Sequence, residues 1–172
     1  MSRTPAPGRP LPAGAEAPYV GVVGPSGQLA SELAGTAEEV GRLLAEAGCV
    51  VVTGGGTGVM AAASRGAAGA GGTTLGILPG DDRGEANPWV TVAVPTGIGE
   101  LRNALLVRSV DAVVAVGGSW GTLSEIALAC RTGVPVWSIH GWDLPAEGGP
   151  VVVPDAASAV SGLLALLGAP KA

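Results

Sequence analysis

Val116-Gly117-Gly118-Ser119-Trp120-Gly121-Thr122-Leu123-Ser124-Glu125 reads as the end of an apolar strand that runs through glycines straight into a helix. Amides in the first turn of a helix have no intrahelical acceptor and together carry about half a positive charge, so such a turn seats an anion. Glycines there let a ligand approach the backbone closely. A second turn of the same kind follows the apolar run 50–53, where Gly54-Gly55-Gly56-Thr57-Gly58 leads into an alanine-rich helical stretch. Two glycine-lined strand-to-helix turns facing one ligand point to a nucleotide.

Outward from these turns the chain alternates strands and helices. The strands, expected at 19–23, 49–53, 73–78, 90–94, 112–116, 134–139 and 151–153, are apolar on both faces, as in a parallel sheet covered by helices on either side. Thr36 and Glu39 read as a capping box, after which Val40, Leu43, Leu44 and Ala47 repeat at helical spacing until Gly48. Further helices are expected at 59–68, 99–109 and 155–167, the last with Val160, Leu163, Leu164 and Leu167 inward. On the helix after residue 119, Leu123, Ile126, Ala127 and Cys130 form the inward stripe, and Glu125 falls off it. The fold class that results is α/β: an open, doubly wound, Rossmann-like sheet, mostly parallel, with helices on both faces.

With 172 residues and 47% hydrophobic content, the composition fits one nucleotide-binding domain over 18–170. A Pro-, Ala- and Gly-rich tail over 1–17 is expected to be disordered. No apolar run approaches the roughly 20 residues that span a bilayer. A cytoplasmic protein without membrane contact is therefore expected. A net charge of -5 with nine basic residues gives no footprint for nucleic-acid phosphates. Cys49 and Cys130 lack metal-ligand spacing and read as reduced, buried thiols. Helices rich in glycine and alanine allow close packing between copies, so a homodimer or homotetramer is expected.

In doubly wound sheets the ligand sits beyond the carboxyl ends of the strands. Lys171 is the only lysine, which leaves neither a Walker A phosphate grip nor a pyridoxal Schiff base. His140 is the only histidine, and no nucleophile-elbow pattern accompanies it. Gly56-Thr57-Gly58-Val59-Met60-Ala61 matches a dinucleotide fingerprint loosely, but after the second strand rather than the first. Asp81, Asp82 and Glu85 read as a solvated loop. Neither a metal nor a resident cofactor is expected.

The polar groups left at the sheet edge include Ser26, Thr57, Asn103, Ser119, Thr122, Arg102 and Glu125. Leu101, Ala104, Leu105 and Arg108 mark one side of the third helix, and Arg102, about 100° round from Leu101, reaches the ligand edge. It can grip a phosphate or carboxylate bidentately, while a carboxylate opposite it can stabilise an oxocarbenium-like ribose or orient water. A structural ion pair is the alternative. Trp120 can stack on a base, meet another subunit or lie as a lid over the sheet.

In order along the chain, T-G-G-G-T-G-V-M at 53–60, G-E-L-R-N at 99–103 and G-G-S-W-G-T-L-S-E at 117–125 resemble the LONELY GUY (LOG) group of nucleotide-binding proteins. The similarity covers about residues 19–139. Within that group L-P-G-D-D at 78–82, A-N-P at 86–88 and P-T-G-I-G-E-L-R-N at 95–103 are most similar to the bacterial branch that also resembles molybdenum cofactor carrier proteins. For the LOG enzymes the resemblance implies homo-oligomers that hydrolyse the N-glycosidic bond of nucleoside 5'-monophosphates. It assigns the catalytic pair to Arg102 and Glu125, and phosphate binding to Gly117, Gly118, Gly121 and Thr122. The label lysine decarboxylase, often attached to the group, does not fit a chain with no suitable lysine.

The chain departs from the enzyme pattern at several points. Asn103 stands where the enzymes have lysine, Ser124 where they have a first glutamate, Val116 replaces a proline, and the triple-glycine turn is a residue shorter. The expected ligand set is Ser26, Gly54, Gly55, Gly56, Thr57, Gly58, Asn103, Gly117, Gly118, Ser119, Gly121 and Thr122. The ligand is a nucleotide-like small molecule of AMP or molybdopterin type, either cleaved at its glycosidic bond or bound and carried intact.

Overall fold

The computed structural model describes residues 17–168. The tail expected over 1–17 thus lies almost wholly outside the described residues. Seven strands, β1 (Tyr19–Val23), β2 (Val50–Thr53), β3 (Thr74–Leu78), β4 (Val92–Pro95), β5 (Ala112–Val116), β6 (Val136–Ile139) and β7 (Val151–Val152), form one sheet in the order β4-β3-β2-β1-β5-β6-β7. Every pairing in it is parallel. The helices are α1 (Ser31–Glu46), α2 (Val59–Gly69), α3 (Arg102–Arg108), α4 (Trp120–Thr132) and α5 (Ala156–Leu167).

Alternate strand residues serve opposite cores, which is why the strands are apolar throughout. Val20, Val22, Val51, Val114 and Val116 pack with Val40 and Leu44 of α1, Val59 of α2 and Leu163 of α5. Val23, Val52, Val113 and Ala115 face the other way, toward Leu106 and Val107 of α3 and Ile126 and Ala129 of α4. The chain winds outward from β1 to β4, then returns to place β5 on the other side of β1. The order therefore reverses between β1 and β5, where a crevice opens at the carboxyl ends of the strands.

Several expectations need correction. The first helix begins at Ser31, not at Thr36, because Leu33 docks against the core and draws the preceding turn into the helix. Thr36 sits inside it, its hydroxyl donating to the Glu32 carbonyl at 3.0 Å, and Glu39 pairs with Arg42, so no capping box forms. The third helix opens with a 3-10 turn at Gly99–Leu101. Its Leu101–Leu105 side faces outward, with Leu101 75% exposed, and Asn103, Leu106 and Val107 face inward. On α4 the buried face is Thr122, Glu125, Ile126 and Ala129, which puts Glu125 on the inward stripe and leaves Ala127 exposed.

The small-residue helix faces are used within the chain. A Cβ on Gly41 of α1 would lie 2.0 Å from the Ala63 carbonyl oxygen, and one on Gly66 of α2 would lie 1.9 Å from that of Glu38. Backbone-to-backbone packing of α1 on α2 therefore uses these two glycines within the chain. Cys49 is buried, Cys130 half-buried, and both are free thiols. No helix among the described residues is long and apolar enough to cross a membrane.

Candidate functional site

At the β1/β5 crevice lies a cavity of about 240 Å³. Its floor is the end of β1, Val22 to Gly24, and its walls come from Ser26, Gly54, Met60, Pro79, the Gly99–Asn103 segment and the α4 start through Ser119, Gly121, Thr122 and Glu125. Ser119 is the N-cap of α4 in extended conformation, and its hydroxyl oxygen accepts from the Thr122 amide at 3.2 Å. The Leu123 amide donates to the Ser119 carbonyl. Of the first-turn donors, those of Trp120 and Gly121 take no acceptor among the described residues. These two amides, with the positive end of the helix behind them, are donors of the kind that can take an anion.

Arg102 heads α3 and reaches across to Glu125 of α4. Their side chains are 12% and 8% exposed, and a single contact joins them, Nη1 donating to Oε1 at 3.3 Å. Arg102 Nε is buried with no partner. The guanidinium thus holds unused hydrogen-bonding capacity beside the cavity. It packs against Gly54, where a Cβ would come within 2.4 Å of Nη2, so any larger residue at 54 would displace it. Burial raises the pKa of Glu125 to about 7, against the lowering influence of Arg102. The carboxyl therefore takes up a proton far more readily than an exposed glutamate does, and the pair is joined by one contact only.

Next to it, buried Asn103 donates from Nδ2 to Ser124 Oγ at 2.9 Å, and that hydroxyl donates to the Gly121 carbonyl at 2.8 Å. This neutral chain ties α3 to the first turn of α4.

The model of LDcluster4, the SLOG cluster4 family, matches residues 17–158. The chain belongs to the SLOG cluster4 family. An uncharacterized protein of Archaeoglobus fulgidus is 40% identical over 120 residues, which is 70% of this chain and 78% of that protein. The molybdenum cofactor binding protein of the phototrophic bacterium Rippkaea orientalis is similar in structure, with a TM-score of 0.83 at 33% identity, covering 89% of this chain and 99% of that one. The molybdenum cofactor carrier protein of Chlamydomonas reinhardtii gives a TM-score of 0.79 at 34% identity, with the same shares covered. These likenesses agree with the LOG-type resemblance of the motifs, on the branch near the carrier proteins.

In this SLOG cluster4 chain the cavity brings together Ser26, Gly54, Arg102, Asn103, Ser119, Gly121, Thr122 and Glu125 from the expected set. Gly55, Gly56, Thr57, Gly58, Gly117 and Gly118 do not line it. The second glycine turn is tied to the turn after β1. The first free amide of α2, that of Val59, donates to the Pro25 carbonyl, and Thr57 Oγ1 accepts from the Gly27 amide. The Met60 and Ala61 amides that follow take no acceptor among the described residues, and of the turn 54–58 only Gly54 reaches the cavity.

The residue that shapes this turn is Asn87, which sequence reasoning did not place in the site. Buried, it donates from Nδ2 to the carbonyls of Gly55 at 3.1 Å and Gly56 at 2.9 Å, and its amide also donates to Gly55. The A-N-P motif was the one trace of it. Asp81, Asp82 and Glu85 are exposed, with Asp82 accepting from the Gly84 amide.

Proposed function

We propose that this protein binds a phosphorylated, nucleotide-like ligand of the molybdopterin class at the start of α4 and carries it without cleavage. The observation that carries the reading is the Asn103–Ser124 hydrogen bond of 2.9 Å. These are the two positions where the LOG enzymes have lysine and glutamate. Here the two form a neutral pair that is satisfied internally and offers no acid or base to the cavity.

What remains for chemistry is Glu125, buried and with its pKa raised to about 7 by that burial, with Glu100 exposed at the cavity rim. Glycosidic hydrolysis works through a pair of carboxyl groups held on opposite sides of the scissile bond, one as acid and one as base or nucleophile. An anion seat with a half-used arginine suits binding better than turnover. The likeness to proteins named as binders and carriers of molybdenum cofactor supports the same reading. In it Arg102, with Nε free, and the amides of Trp120 and Gly121 hold the phosphate, and the sugar-like part of the ligand lies along Val22, Val23 and Gly54.

A second reading keeps the phosphoribohydrolase, because Arg102 and Glu125 do face one cavity. Incubation with a panel of nucleoside 5'-monophosphates and with molybdenum cofactor released from a molybdoenzyme, followed by mass analysis, separates the two. Carriage predicts intact bound ligand and no free base. Free base from a monophosphate, lost in Arg102→Ala and Glu125→Ala, would replace carriage with hydrolysis. Self-association belongs to the same proposal, with its support now in the exposed apolar side chains Val92, Val94, Ile98, Leu101 and Leu105.

A further inference from the structure

The cavity that holds Arg102 is lined by no aromatic side chain. A ligand anchored there by its phosphate finds no flat surface inside for a heterocyclic ring. The chain has four tryptophans, one tyrosine and no phenylalanine, and two of the tryptophans meet just outside. Trp120, the residue between cavity-lining Ser119 and Gly121, is 79% exposed. Its ring meets that of Trp142 edge to face, with centroids 4.9 Å apart and planes at 78°. An indole so exposed at the first position of a helix gains little from burial, so folding alone does not account for it.

Trp142 is less exposed, at 40%. It lies on Gly118, where a Cβ would come 2.6 Å from Cδ1, so only glycine admits the ring there. The turn that brings it back from β6 passes through His140, whose φ of 52° is the one left-handed backbone at a non-glycine residue in the described chain. Strain of this sort persists where the surroundings over-determine the conformation, and it gathers at ligand sites. A strained turn, a glycine contact and an edge-to-face pair together fix one ring and leave the other presented to solvent at the mouth of the anion seat.

We infer that Trp120, braced by Trp142, is the platform on which the flat heterocycle of the ligand stacks while its phosphate sits at the start of α4. This rests on the reading of the site as a seat for a phosphorylated ligand. It commits the ligand class to a purine- or pterin-like bicycle bearing a phosphate a few bonds away. Stacking tolerates either ring system, because each offers a π-face, and ring edges are read elsewhere.

The test uses the full chain and two probes, guanosine 5'-monophosphate, whose base shares the amino-oxo pyrimidine half of a pterin, and ribose 5-phosphate, which has no ring to stack. Wild type, Trp120→Ala and Trp120→Phe are titrated by calorimetry, with tryptophan fluorescence followed in parallel. Trp120→Ala is expected to weaken guanosine 5'-monophosphate about tenfold, to leave ribose 5-phosphate unchanged and to abolish quenching, and Trp120→Phe to recover most of the affinity. Equal effects on both probes, or none on either, would overturn the platform while leaving the phosphate seat standing. A change in oligomeric state with unaltered guanosine 5'-monophosphate affinity would assign Trp120 to a subunit contact and overturn it likewise. Failure of ribose 5-phosphate to bind wild type would remove the seat itself, and the platform with it.

Discussion

Replacing Glu125 by glutamine is expected to stabilise the protein above neutral pH and to change little in acid. The carboxyl is held at about 7 in the folded chain against 4.5 as its ordinary value, with burial as the leading cause and Arg102 opposing it. Between those two values the folded state keeps a proton that the unfolded state has released. Stability therefore falls as pH rises from about 4.5 to about 7 and is flat beyond. At about 1.4 kcal/mol per pH unit the full difference is about 3 kcal/mol. Glutamine has the same shape and still offers an oxygen to Arg102 Nη1, but it never ionises. At pH 8 Glu125→Gln should thus exceed wild type by up to about 3 kcal/mol, a rise in melting temperature of roughly 6–12 °C for a chain of this size. Most of that gain should be gone at pH 5. Differential scanning calorimetry at the two pH values reads it directly. A variant that is less stable than wild type by the same amount at both would refute the reasoning, since it would mean that the carboxylate is ionised throughout and that its pairing with Arg102 outweighs its burial.

Other outcomes follow from the same geometry. Arg102→Ala should weaken a phosphorylated ligand by roughly ten- to a hundredfold, the worth of a charge-assisted hydrogen bond, with the far-ultraviolet circular dichroism unchanged. Asn87→Ala leaves the carbonyls of Gly55 and Gly56 short of a donor and should cost about 2 kcal/mol in urea unfolding, with a matching loss of ligand affinity as the Gly54 wall loosens. Leu101→Asp, placed on the exposed apolar side of α3, should lower the oligomeric state by light scattering if that face joins copies of the chain, and an unchanged mass would remove the face from the interface.

Much of this architecture was readable from residues because strand and helix periods differ and the glycines punctuate them. β1 and β5 fall where the apolar runs 19–23 and 112–116 put them, and the turn after β5 carries its N-cap in Ser119. Glu125 was misplaced because an inward stripe counted from apolar residues skips a carboxylate, whereas the α4 face toward the crevice is polar where it lines the cavity. The start of α1 was missed because residues 31–35 offer one apolar anchor, Leu33, too few to show a period. The tethering of the second glycine turn left only the A-N-P motif as a trace. It depends on the Pro25 carbonyl reaching Val59 and on Asn87 reaching back to Gly55, contacts between segments far apart in sequence that no local pattern encodes.

The central claim is that an oxyanion sits on the free amides at the start of α4, against Arg102. Titration of isotope-labelled protein with ribose 5-phosphate, followed through the amide resonances, tests this most directly. The account predicts that the Trp120 and Gly121 amides shift saturably with a single dissociation constant while the Val59 amide, already bonded to Pro25, stays in place. Movement at Val59 with Trp120 and Gly121 unmoved would contradict it.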